Sequence, residues 1–157
     1  MKKKYQAMVL SCMDPRFQPI VYDYLKKRKL NGKYSAFTIA GSAIGVTANK
    51  FRKWHSSFWE NINISIRLHK IKKLIVINHY DCGAAKIING KKIFNYVNES
   101  KIHRKSFILI KRKFKKKYPT LSIETILISL NKKVQKFWFF GIFRPIYLHS
   151  YLEKLNL

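Results

Sequence analysis

The run Lys-Leu-Ile-Val-Ile-Asn-His at residues 73–79 constrains the fold more than any other stretch. It is apolar almost throughout and lacks the alternation of a strand with one wet face. It therefore reads as a strand covered on both faces. Such a strand requires a sheet with helices above and below it. Residues 7–12 (AMVLSC), 34–40 (YSAFTIA) and 122–130 (SIETILISL) supply three more candidate strands. Helical patterns separate them. Residues 14–27 place Ile20, Val21, Tyr24 and Leu25 on one face, with Asp14 expected as N-cap and Pro15 as the first helical residue. Residues 48–70 bring Phe51, Trp54, Phe58, Ile62 and Ile66 round at three- and four-residue steps. A basic helix over residues 99–117 turns Phe107, Ile110 and Phe114 inward. This alternation predicts an α/β fold, a parallel β-sheet of about four strands flanked by helices. A chain of 157 residues is expected to form a single domain, with the α/β core over 7–130 and an aromatic tail over 131–157.

The charge is extreme, a formal +26 from 33 Lys and Arg against 7 acids. That balance raises nucleic acid and anionic membranes as partners. Lysine supplies 26 of the 33, whereas specific nucleic-acid surfaces favour arginine forks. Lysine, isoleucine and asparagine, all abundant here, use AT-rich codons. The charge is therefore read as compositional, and nucleic acid is not expected to be the main partner. No stretch reaches the roughly 18 apolar residues of a membrane span. The nearest, at 137–143, is cut short by Arg144 and Pro145. Two cysteines are too few for a disulfide framework, and the first residues lack a signal peptide's apolar run. A reducing cytoplasm is the expected location.

With acids so scarce, their placement is informative. Asp14 follows Cys12 by two residues, Asp81 directly precedes Cys82, and Asp23 falls on a predicted helix. Parallel sheets build their sites at the carboxyl ends of strands. Cys12 ends the first strand, His79 ends the third, and Cys82 lies in the turn beyond. Two thiolates and an imidazole make three ligands of a tetrahedral zinc site. The fourth position is then open to water or closed by Asp14, which Arg16 can hold in a bidentate pair. Simpler readings compete. Asp14 could serve as a helix cap alone, and the cysteines as buried apolar residues or a redox pair. Asp81 reads as a turn or capping acid. His55, His69, His103 and His149 read as packing or surface residues. Gly41 and Gly45 match neither standard nucleotide-loop spacing.

Cys12-Met13-Asp14-Pro15-Arg16 and His79-Tyr80-Asp81-Cys82-Gly83 resemble the two motifs of the beta-class carbonic anhydrases, Cys-x-Asp-Ser-Arg and His-x-x-Cys-Gly. The resemblance spans about residues 7–130. It implies that Cys12, His79 and Cys82 bind Zn2+ and that Asp14 and Arg16 are the pair gating the fourth position. It also implies reversible hydration of carbon dioxide to bicarbonate by zinc-bound hydroxide, in a homodimer or larger homo-oligomer. The chain departs from the family pattern in places. Pro15 replaces the usual Ser, and Asn78 stands where a Gly usually precedes the metal histidine. Of the Arg-Asn-Ala-Gly-Asn stretch only Ala40 and Gly41 survive. Two alternatives follow from the same residues. One is hydrolysis of carbonyl sulfide or carbon disulfide on the same zinc site. The other is a non-catalytic zinc protein whose basic surface binds nucleic acid.

Overall fold

The computed structural model describes residues 5–90, 92–137 and 143–146. Four parallel strands form the centre: β1 (Ala7–Ser11), β2 (Tyr34–Thr38), β3 (Lys73–His79) and β4 (Ser122–Ile128). Two antiparallel strands extend one edge, β5 (Val134–Phe137) and β6 (Phe143–Ile146), giving the order β2-β1-β3-β4-β5-β6. The sheet is therefore mixed, with six strands among the described residues rather than about four. The added pair comes from the segment expected to be an aromatic tail, where no polar–apolar period marks a strand. Residues 138–142 and His149 lie outside the described residues.

The helices are α1 (Gln18–Lys27), α2 (His55–His69), α3 (Gly83–Asn89) and α4 (Tyr96–Lys117). A 3-10 turn at Asn49–Trp54 leads into α2, with a break in helical geometry at Phe51. Asn95 caps α4 by accepting the Asn98 N–H at 2.9 Å. Asp14 does not cap α1. That helix begins four residues later, with Phe17 at the N-cap position and a proline in its first turn. Residues 14–17 instead form a tight turn closed by Phe17 N–H on Asp14 O at 3.1 Å. The Asp14 carboxylate is taken by Arg16, which removes it from any cap.

β3 explains its own sequence. Leu74 and Val76 join Met8, Leu10 and Leu127 on one face of the sheet, against Phe58 and Ile62 of α2 and Phe107, Ile110 and Phe114 of α4. Ile75 and Ile77 join Val9, Ile126 and Ile128 on the other face, against Val21, Tyr24 and Leu25 of α1. Each fully buried Leu, Ile or Phe contributes about 1.5–3 kcal/mol, so both faces of this strand stabilise the fold. No helix among the described residues is long and apolar enough to cross a membrane.

The strand order places the site. From β1 the chain goes to β2 on one side, then crosses to β3 on the other. The gap between β1 and β3 at their carboxyl ends is thus a topological switch point, where parallel sheets leave a crevice.

Candidate metal centre

β1 and β3 run parallel with Ser11 opposite Ile77. The residues that follow, Cys12 on one strand and His79 on the other, are therefore brought to one rim. Beyond β3 the chain turns through Asp81 in a left-handed conformation, φ 56°, which aspartate tolerates better than most residues. That turn carries Cys82 back over the sheet end. One ligand atom each from Cys12, His79 and Cys82 lies within 4.8 Å of the others, and all three residues are buried. Both cysteines are free.

The histidine is oriented from both sides. Its Nδ1 donates to the Tyr80 carbonyl at 2.8 Å, and its ring stacks on Phe17 with centroids 3.9 Å apart. This fixes the tautomer and leaves Nε2 as a free lone pair. Nε2 is buried without a hydrogen-bond partner. A ring nitrogen left so pays a desolvation cost of about 1–3 kcal/mol, which a metal bond relieves. Two thiols at hand complete a donor set that suits zinc. On these grounds the residues fit the metal.

Local electrostatics favour deprotonation of one thiol. Cys12 is held down to about 4, first by the Cys82 S–H beside it, against the opposing effect of burial, then by His79 and by the backbone N–H groups of Asp14 and Gly41. Gly41 N–H lies 3.2 Å from Cys12 Sγ. Cys82 is pushed up because Cys12 already holds the negative charge and burial disfavours a second one. Burial opposes a charge on His79, yet the Cys12 thiolate and the Tyr80 carbonyl outweigh it and raise its affinity for a proton. A cation at this point would replace that proton. Gly41 is required here by its φ of +74° and by space, since a Cβ would lie 2.6 Å from Ala84 Cβ.

Asp14 and Arg16 stand at the mouth. Asp14 Oδ1 accepts from the Arg16 backbone N–H and Nε at 3.0 Å each, and Oδ2 accepts from Nη2 at 2.7 Å. Arg16 holds the carboxyl below its ordinary range. Asp14 Oδ2 lies 4.0 Å from the orphan His79 Nε2. Arg16 also reaches Asp81, donating through Nη1 to Oδ2 at 2.7 Å and through Nη2 to the main-chain oxygen at 3.1 Å. Asp81 is thus a second anchor for Arg16, a role its position in a turn did not suggest.

Beneath Cys12, His79 and Cys82 lies a buried polar chain that the sequence reading missed. Glu99 Oε1 accepts the Cys82 N–H at 2.9 Å and sits 3.3 Å from His103 Nε2. His103 Nδ1 is 2.9 Å from Asn78 Nδ2, and Asn78 Oδ1 accepts the Ala43 N–H at 3.1 Å. Two signals could have revealed it. Asn78 is a polar residue inside a doubly covered strand, and Glu99 and His103 are four apart on the helix face that buries Phe107 and Ile110. Among the described residues, the two remaining histidines bond elsewhere. His55 bonds the Ala48 carbonyl and His69 the Ser35 hydroxyl.

The family described as "Putative carbonic anhydrase" matches residues 1–135. A protein of Rickettsia conorii described as uncharacterised is 26% identical over 134 residues, covering 84% of this chain and 72% of that protein. The solved beta-carbonic anhydrase CcaA superposes with a TM-score of 0.66 at 12% identity, covering 92% of this chain and 79% of that one. Tetrameric beta-carbonic anhydrases of Sordaria macrospora superpose with a TM-score of 0.58 at 8% identity, covering 92% of this chain and 84% of the other. At such identities the superpositions speak for the fold, and the family match spans both motifs that meet at the switch point. The chain belongs to the family described as "Putative carbonic anhydrase", and its fold is that of the beta-carbonic anhydrases.

Proposed function

We propose that this protein is a zinc-dependent carbonic anhydrase catalysing the reversible hydration of carbon dioxide to bicarbonate. In this reading Cys12, His79 and Cys82 are the metal ligands, and Asp14 and Arg16 are the catalytic pair. The observation that carries it is His79 Nε2, buried without a hydrogen-bond partner and facing two free thiols. When bound, zinc supplies the Lewis acidity that turns water into a nucleophile near neutral pH. The chain's own residues do the rest. Arg16 keeps Asp14 ionised and turned toward the ligand cluster. Asp14 Oδ2 accepts a hydrogen bond from the attacking water and so aims its lone pair at carbon. Pairing with Arg16 also keeps the carboxylate from closing the fourth position.

Two further features go with this reading. Thiol ligands need a reducing compartment, which the cytoplasm provides. The tetramers described for the Sordaria enzymes support a homo-oligomeric assembly here as well. Stopped-flow hydration with a pH indicator tests the proposal. Zinc-loaded protein is expected to accelerate hydration, and His79→Ala and Asp14→Ala to abolish the acceleration. Hydration at the uncatalysed rate by the zinc-loaded wild type would reject it.

A further inference from the structure

The buried chain beneath the ligands can be read proton by proton, starting from one donor whose identity is certain. Ala43 N–H is a backbone donor, so the Asn78 atom it meets at 3.1 Å is the carbonyl oxygen. The amide nitrogen of Asn78 then faces His103 Nδ1 at 2.9 Å. An NH2 group donates, so Nδ1 is the acceptor and the ring proton sits on Nε2. Nε2–H points at Glu99 Oε1, 3.3 Å away. The same Oε1 accepts the Cys82 N–H at 2.9 Å. Every link has one donor and one acceptor, and the neutral Nε2–H tautomer of His103 is the form that satisfies both neighbours. Ser106 braces the centre, donating to the His103 carbonyl at 2.8 Å.

The chain ends at one cysteine-bearing segment and at the loop that contacts the other cysteine. One end is the amide of Cys82 itself. The other is Ala43, two residues after Gly41, whose N–H donates to Cys12 Sγ. Asn78, His103 and Glu99 are 1%, 0% and 5% exposed, so these groups were taken out of water to make the connection. Burying a carboxylate and an imidazole is costly, and apolar side chains of similar volume commonly stabilise a core as well or better. Stability alone is thus a weak reason for this arrangement.

We propose that Asn78, His103 and Glu99 are positioning residues that hold the Cys12 and Cys82 sulfurs at metal-binding distance, with His103 as the hub between the two segments. This rests on the metal-ligand part of the function proposed above and on none of its chemistry of carbon dioxide. It also gives a role to Asn78, which stands where the family pattern has glycine. Glycine there could not bridge His103 to the loop carrying Gly41.

The test uses the full-length protein and two readouts. Hydrogen exchange on the metal-free chain reports the amides of Cys82 and Ala43. Competition with a chromophoric chelator reports zinc affinity. His103→Leu is expected to speed exchange at both amides and to weaken zinc binding by about ten- to a hundredfold, the usual effect of losing a partner behind a ligand. His103→Gln can accept from Asn78 and donate to Glu99, so it is expected to recover most of the affinity. Asn78→Ala serves if His103→Leu does not fold, and is expected to free Ala43 and weaken zinc binding. Folded variants that bind zinc as tightly as the wild type overturn the proposal, even if exchange accelerates, because the network would then serve the fold alone. A wild-type protein that takes up no zinc overturns the metal reading itself, and this proposal with it. That result is seen before any substitution is made and so is distinct.

Discussion

Arg16 is shared between Asp14 and Asp81, donating to the carboxylate of each at 2.7 Å. The two acids come from the two motifs, 65 residues apart in the case of Arg16 and Asp81. Arg16 and Asp81 are about half exposed, so the ion pair is screened and contributes little to stability. Its effect is geometric, because it fixes the guanidinium that fixes Asp14. Asp81→Ala is therefore expected to cost about 1 kcal/mol, owed to the left-handed φ of 56° that alanine tolerates poorly rather than to the lost ion pair, while lowering kcat by roughly tenfold. Urea unfolding and hydration kinetics on the same preparation check both halves.

Asp14→Asn tests the acceptor directly. The amide keeps the shape but loses the charge and one acceptor oxygen, and it clashes with Arg16 through its NH2 group. Hydration is expected to fall by about a hundredfold, within the range of a lost proton acceptor, with zinc content unchanged. Metal analysis beside the rate measurement separates a lost catalytic group from a lost ligand.

Gly41→Ala is expected to damage the fold and the metal centre together. A left-handed φ of +74° costs a non-glycine residue about 1–2 kcal/mol, and the added Cβ would press within 2.6 Å of Ala84 Cβ at the start of α3. Denaturant midpoint and zinc retention are both expected to drop.

Glu124 predicts how acid unfolds the protein. Its Oε1 accepts from Lys73 Nζ at 2.6 Å and from Arg28 Nη2 at 3.1 Å, and Arg28 Nη1 forms an ion pair with Oε2 at 2.8 Å. Burial pushes its pKa up, but Arg28 and Lys73 together hold it below the usual carboxylate range. A carboxyl depressed in the folded state lends stability that is complete above its unfolded pKa, about 4.3. That stability is lost as the pH falls through the lower folded value. Glu124→Gln should flatten the stability curve below about pH 4 relative to the wild type. Urea midpoints measured across that range check the sign, and an unchanged slope would count against the pairing.

The parallel core was legible because its strands are buried on both faces. Residues such as Leu74 to Ile77 leave no polar side to confuse the period. Cys12, His79 and Cys82 were legible for a related reason, since strand ends at a switch point converge whatever lies between them. Asp14 was legible as an acid near the cluster but not as a non-capping one. Local propensity favours Asp-Pro at a helix start, and the competing guanidinium acts through space. Glu99 and His103 were hidden because the inward face of their helix is marked by Phe107, Ile110 and Phe114, and nothing in that apolar period announces the polar residues buried one and two turns earlier. The β5–β6 edge was hidden because aromatic residues there carry no clear period.

Zinc-edge X-ray absorption on the purified protein bears most directly on the metal centre. Two sulfurs at about 2.3 Å and an imidazole nitrogen at about 2.0–2.1 Å are the expected shell, with one sulfur lost in Cys12→Ser and the imidazole lost in His79→Ala. A metal surrounded only by oxygen and nitrogen, or a shell indifferent to those substitutions, would contradict it.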